Sequence, residues 1–337
     1  MFALAIGLLP VLLFLAALVV LDGYKLVART AIVRSLAIGW IVAVAAWAIH
    51  WFLIERLGIP PLVIKRWIAP FVEEVLKAAP VLFLIRRGQV GFLVDAAIHG
   101  FAIGTGFAVV ENIYYVGALP DAGLTVWTAR GLGTAVMHGG TTALVAVIAR
   151  DLTERHRSTA WTRLVPGLLP AFTIHSAYNH LQLPALVESA IVMLGVPLVL
   201  AVVFERSERS TREWLGHGVD HDISLLELIE SGALDDTPVG RYLDELRSRF
   251  EPAVVSDMLC YLEIHLELAM KAKGMLIARG AGLEVPADPD LASRFTELRF
   301  LERSIGRTGI LAMHPFLHAH GRDRWQLEML EKTAARS

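Results

Sequence analysis

Acidic, imidazole and amide side chains recur in this chain inside stretches that are otherwise apolar: Glu73, Glu74 and Lys77; Glu111; His138; and His175 with Asn179 and His180. A charge in hydrocarbon costs several kcal/mol, so such groups are retained where they face a bundle interior and pair, bind or react. On a helix, Glu73 and Lys77 are spaced i, i+4 and Glu74 and Lys77 i, i+3, so one ammonium can neutralise either carboxylate and leave the other for chemistry. His175 and Asn179 share a helical face, whereas His180 points about 140° away from His175 and ranks below both. Glu111 and Asn112 are adjacent and cannot face the same way. Glu111 is the one expected to enter a cavity, with Asn112 packing the helix end.

Gathered in a water-accessible cavity, such groups suit hydrolysis of an amide bond. A carboxylate or imidazole can take a proton from water as general base. The tetrahedral intermediate then needs donors at its oxyanion, and an imidazole N–H with an Asn amide at i, i+4 can supply them. In a second version, the Glu and His side chains hold a divalent ion, with zinc a suitable one, that acidifies bound water. No HExxH pair is present, so helical spacing alone does not signal a metal.

The elements that must position these residues are membrane spans. The chain is 55% hydrophobic against 19% charged, with mean hydropathy +0.54, which excludes an ordinary soluble enzyme. Apolar windows predict an all-α polytopic bundle of seven spans near 2–21, 31–54, 68–86, 91–114, 128–149, 164–181 and 183–204. The first has no basic n-region and no small-residue cleavage site before Asp22, so it reads as a retained span. The single cysteine, Cys260, excludes an intramolecular disulfide and a thiolate metal cluster. With the N-terminus outside, inner loops collect Lys25, Arg29, Arg34, Arg86, Arg87, Arg150, Arg155, Arg157, Arg163, Arg206, Arg209 and Arg212. Outer loops hold only Arg56, Lys65, Arg66 and Arg130. That bias predicts a multi-pass protein of the cell membrane with N-terminus out and C-terminus in. At this topology Glu73, Glu74, Glu111, His175 and Asn179 share one depth in the outer half, and His138 lies slightly deeper.

Four motifs in this order carry a resemblance. Glu73 to Lys77 reads EExxK, Phe107 to Asn112 reads FxxxEN, His138 follows Arg130 on the next span, and His175 to Asn179 reads HxxxN. The set resembles the PrsW family of intramembrane proteases, related to the CAAX protease and bacteriocin-processing group, over residues 68 to 181. The resemblance implies a site between helices and site-one cleavage of single-pass membrane proteins, typically an anti-sigma factor, near the extracytoplasmic side. It implies Glu74 or Glu73 with Glu111 and His138 in water activation or metal binding, and His175 with Asn179 in oxyanion support or ligation. Lys77, Arg130 and Asn112 would support them. The related CAAX group carries a His where this chain has Glu111.

Other features have plainer readings. Gly100 and Gly104, with Gly106, Gly131, Gly133, Gly139 and Gly140, predict close helix approach in spans four and five; small residues beside His138 also leave room for a substrate. Asp95 and His99, at i, i+4, predict a structural hydrogen bond. Residues 205–337 hold 17 Lys and Arg against 23 Asp and Glu, whereas residues 1–204 hold 14 against 10. The tail therefore reads as a small all-α cytoplasmic domain or a helical appendage beneath the bundle. Ser224 and Glu227 predict a capping box opening a helix, followed by helices over 252–279, 289–305 and 322–334. His314, His318 and His320 read as incidental loop histidines. The partners implied are a single-pass membrane protein and the lipid bilayer, not nucleic acid. A proton-coupled transporter would favour internal repeats, which are not visible here. A non-catalytic scaffold for single-pass partners is the other rival.

Overall fold

Helix α4 (Leu93–Ala118) is the post around which the membrane part is built, buried over most of its length. It begins where Asp95 turns its carboxylate back to accept from the backbone N–H groups of Gly91, Phe92 and Ala96, satisfying donors that a helix start leaves open. This corrects the expected Asp95–His99 bond, since Asp95 is committed to the helix start and His99 Nδ1 instead meets Ser35 Oγ at 2.8 Å. The helix ends before Pro120, whose ring disfavours helical backbone at Leu119.

The computed structural model describes residues 2–156, 159–180, 183–232, 237–286, 288–317 and 321–334, and these are helical without strands. Before α4 come α1 (Phe2–Leu21), α2 (Arg29–Glu55) and α3 (Ala69–Arg86). After it come α5 (Ala135–His156), α6 (Val165–Asn179) and α7 (Ala185–Glu230). A π-helical turn, Ile64–Ile68, leads into α3, and a second, Ala129–Thr134, leads into α5.

Small residues let α2 and α5 close on α4. A Cβ at Gly104 would overlap the His138 carbonyl, and one at Gly39 would overlap the Ile103 carbonyl. Such approach replaces hydrophobic drive, which is absent between helices in lipid, with van der Waals packing. Beneath the polar residues, Leu82, Ile85, Ile103, Val145 and Ala149 form an apolar floor.

Among the described residues, five helical segments are long and apolar enough to cross a membrane: Ala3–Leu21, Arg29–Glu55, Leu93–Ala118, Leu124–His156 and Ala185–Glu230. The two other expected spans correspond to α3 and α6. Helix α3 carries Glu73, Glu74, Lys77 and Arg86, and α6 has 15 residues, about 22 Å at the helical rise. Both depart from the simple span pattern, and both carry site residues.

The chain divides into two compact units, Met1–Glu208 and Arg209–Ser337. Helix α7 does not end near 204 and no helix opens at Ser224; it runs unbroken for 46 residues. Ser224 Oγ donates to the Asp220 carbonyl one turn back, the behaviour of a mid-helix serine rather than a cap. The second unit adds α8 (Pro238–Arg247), α9 (Pro252–Gly280), α10 (Leu291–Met313) and α11 (Gly321–Ala334) around Leu262, Leu268, Leu276, Phe295 and Met313. Helix α10 outruns its expected end at 305 by passing through Gly306, whose positive φ kinks it. His314 closes α10, and His318 and His320 lie outside the described residues.

Candidate active site

Glu74 is the fixed point of the polar cluster. Its Oε1 receives Lys77 Nζ at 2.6 Å, His175 Nδ1 at 2.8 Å and Thr141 Oγ1 at 3.3 Å, which ties α3 to α5 and α6. Glu74, Lys77, His138 and His175 are each no more than 2% exposed. Charges this deep persist only when paired and hydrogen-bonded. Glu74 Oε2 has no hydrogen-bond partner among the described residues.

Proton positions follow from that network. The Lys77 ammonium has only donors, so at 3.1 Å the Nδ1 of His138 accepts from it. In neutral His138 the hydrogen then sits on Nε2, which donates to Glu111 Oε2 at 3.0 Å. An ionised Glu74 is acceptor-only, so His175 donates from Nδ1. In neutral His175 that leaves the Nε2 lone pair facing Glu73 Oε2 across 3.8 Å. Two acceptors in that position call for a proton, a water or a cation between them.

Glu111 is held from the other side. Arg130, within the second π-helical turn, reaches Glu111 Oε1 at 3.4 Å, donates to Asn112 Oδ1 at 2.9 Å and stacks on Tyr115 at 3.7 Å. Asn112 faces away and donates to the Gly7 carbonyl at 2.8 Å. Phe107 lies 4.9 Å from the His138 ring and under the Lys77 ammonium at 5.1 Å.

The structure thus gathers Glu73, Glu74, Lys77, Glu111, His138 and His175, with Arg130 at the rim. It sets Asn179 apart. The Asn179 amide donates to the Lys65 carbonyl at 2.9 Å, Ser176 Oγ donates to the Arg66 carbonyl at 2.7 Å, and Tyr178 donates to the Ala129 carbonyl at 3.3 Å. All three carbonyls lie in the π-helical turns, where the α-helical bonding pattern is interrupted. His180 bonds the Ser176 carbonyl and packs on Trp67, outside the cluster.

Two participants escaped the sequence reading. His50 on α2 lies 3.9 Å from Glu73 Oε1, and its buried Nε2 has no hydrogen-bond partner among the described residues. An ionisable residue inside an apolar span was the signal available for it. Thr141 had none, since a threonine in a span is ordinary.

A family model described as PrsW family intramembrane metalloprotease matches residues 27–204. The chain belongs to the PrsW family. No curated protein and no solved structure matches it. The PrsW match contains every residue of the polar cluster and leaves out the second unit. As a PrsW member the chain is a protease in a multi-pass membrane protein.

The metal in the PrsW description can be weighed against the donors present. Donor atoms of Glu73, His138 and His175 lie within 4.8 Å of one another. Two imidazoles and a carboxylate are zinc-type ligands, and the unpaired Glu74 Oε2 and the His175 lone pair suit a cationic occupant. The residues fit. Of the expected ligands, His138 and His175 are in this group; Glu74 is already engaged by Lys77, Thr141 and His175, and Glu111 by Arg130 and His138. His138 joins such a set only by releasing Glu111 or Lys77.

Proposed function

We propose that this PrsW protease makes the first cut in single-pass membrane proteins of the anti-sigma-factor type, with Glu73 as the carboxylate at the reacting water. The observation that carries this is the bridging position of His175, tied through Nδ1 to the neutralised Glu74 and opposed through Nε2 to Glu73. Glu73 has no Lys or Arg within 4.0 Å among the described residues, unlike Glu74 and Glu111. It is therefore the carboxylate free to accept a proton from water.

The other residues act on orientation. The Glu74–Lys77 pair fixes the tautomer and ring plane of His175. Glu111, pinned by Arg130, directs the N–H of His138. When bound, a divalent ion held by Glu73, His138 and His175 would supply acidified water and a polarised carbonyl. The bias of basic loop residues supports a topology with the N-terminus outside, and seven spans then put the cluster in the outer half of the bilayer, where a first cut is made. The substrate must unwind locally, because a peptide bond inside an intact helix is shielded.

The test is cleavage of single-pass proteins by the purified chain in vesicles, with and without chelator. Glu73→Gln is expected to lower the rate by about 10²- to 10⁴-fold, the range for loss of a general acid or base. Undiminished cutting by Glu73→Gln and His175→Ala would remove this site from consideration. Ion-coupled transport without any cleavage would favour the transporter reading.

A further inference from the structure

Helix α7 is mostly exposed along its membrane stretch, and part of it stands off from α5. A cavity of about 250 Å³ runs between α5 and α7, with Ile174 of α6 also in its lining. It is lined along α5 by Met137, Gly140, Thr141 and Leu144, and by Gly195 and Val199 on α7. Thr141 also donates to Glu74 Oε1, so the apolar seam and the site share a wall. From Met137 to Val147 the seam follows α5 for about 15 Å, with Thr141 about 6 Å from its Met137 end.

We propose that this seam is where the substrate's transmembrane helix docks, lying along α5 with α7 as a lateral gate. The proposal rests on the protease reading above and names the route by which its substrate arrives. The occupant is a single apolar helix with small residues facing Gly140 and Gly195. Continuity with the site favours it over lipid, since a helix in the seam lies against Thr141, whose hydroxyl donates to Glu74. Glycines suit such a groove because they let backbones approach. A Cβ at Gly195 meets nothing within 4 Å, so that side of the seam has room. The space present takes a few side chains, so admission of a whole helix requires α7 to move outward.

Gly140 and Val196 provide the test. A Cβ built at Gly140 lies 3.4 Å from Val196 Cβ, close to the separation of about 3.5–4.5 Å that a disulfide needs. In the Cys260→Ser chain, Gly140→Cys with Val196→Cys is expected to clamp α7 to α5 on oxidation. Cleavage should fall by roughly 10²-fold, as for a misplaced substrate, and return on reduction. Equal cleavage in both redox states, with the crosslink verified, would overturn the proposal. A photoreactive benzoylphenylalanine at Val199 provides the second arm, with a single-pass peptide in vesicles as probe. Crosslinking to the peptide's transmembrane segment supports the seam; capture of lipid alone overturns it, even if the double variant proves inactive when reduced. If the Cys260→Ser parent cuts nothing, the protease reading fails and the photocrosslink still decides the seam.

Discussion

The side-chain amide of Asn179 donates to the backbone carbonyl of Lys65, 2.9 Å away and across from α6 to the π-helical turn that starts α3. The bond gives the second polar residue of HxxxN a mechanical task. It anchors the turn whose next helical turns carry Glu73 and Glu74. An oxyanion donor and a turn anchor make different demands, and magnitudes separate them. Loss of one ordinary hydrogen bond costs about 0.5–1.5 kcal/mol, whereas loss of an oxyanion donor costs about 10²–10³-fold in rate. Asn179→Ala should therefore lower thermal stability measurably and cleavage by about tenfold or less. A loss near 10³-fold at unchanged stability would return Asn179 to the reacting atoms.

Lys77 and Glu74 form a buried pair that is costly to break from one end. Removing the ammonium leaves a carboxylate uncompensated in a low-dielectric interior, a penalty of about 3–5 kcal/mol. Lys77→Met is expected to unfold the detergent-solubilised protein at much lower temperature than wild type. Adding Glu74→Gln removes the stranded charge and should recover much of that loss without recovering cleavage, because His175 then has only a neutral acceptor. If the double variant is no more stable than Lys77→Met, the pair is not the source of the penalty.

Metal content gives a graded expectation. Glu73, His138 and His175 are the gathered donors, and Glu74 orients His175 through Nδ1. Partners that orient a ligand are typically worth 10–100-fold in affinity. His175→Ala should abolish stoichiometric zinc, and Glu74→Gln should retain zinc with affinity lower by about that factor in a chelator competition. Equal zinc retention by wild type and His175→Ala would detach the ion from this cluster.

Much of this arrangement was legible because charged residues in apolar windows are rare and their order along the chain is specific. Each of the seven windows overlaps a helix, although the last helix runs to Glu230, far past the expected end at 204, and depth along the spans was enough to expect Glu111 and His138 in one cluster. What the sequence could not settle was which glutamate of the adjacent pair faces the chemistry, since Glu73 and Glu74 are both within one turn of Lys77. That depends on the rotation of α3, set by the π-helical turn before it, and such turns have no clear residue signature. The continuity of α7 past residue 204 was missed for a related reason. A change in polarity marks the end of apolar surface, not the end of a helix, and no proline follows Pro197 to break it. Lys273, buried against Asp222 and the Gly218 carbonyl, then holds that extension to α9 within the second unit.

His50 supplies the sharpest separation of stability from function. Its buried Nε2 has no hydrogen-bond partner among the described residues, while Nδ1 lies 3.9 Å from Glu73. An unsatisfied buried polar atom costs about 1–3 kcal/mol, and strain of this kind is retained where activity needs it. A hydrophobic ring of similar size should relieve the cost, so His50→Phe is expected to leave thermal stability unchanged or raised. Cleavage should fall at the same time, because Glu73 loses its neighbour on α2. Parallel measurement of unfolding temperature and cleavage rate checks both halves. A variant that loses stability and activity together would mark His50 as a packing residue, and one that keeps full activity would separate it from Glu73.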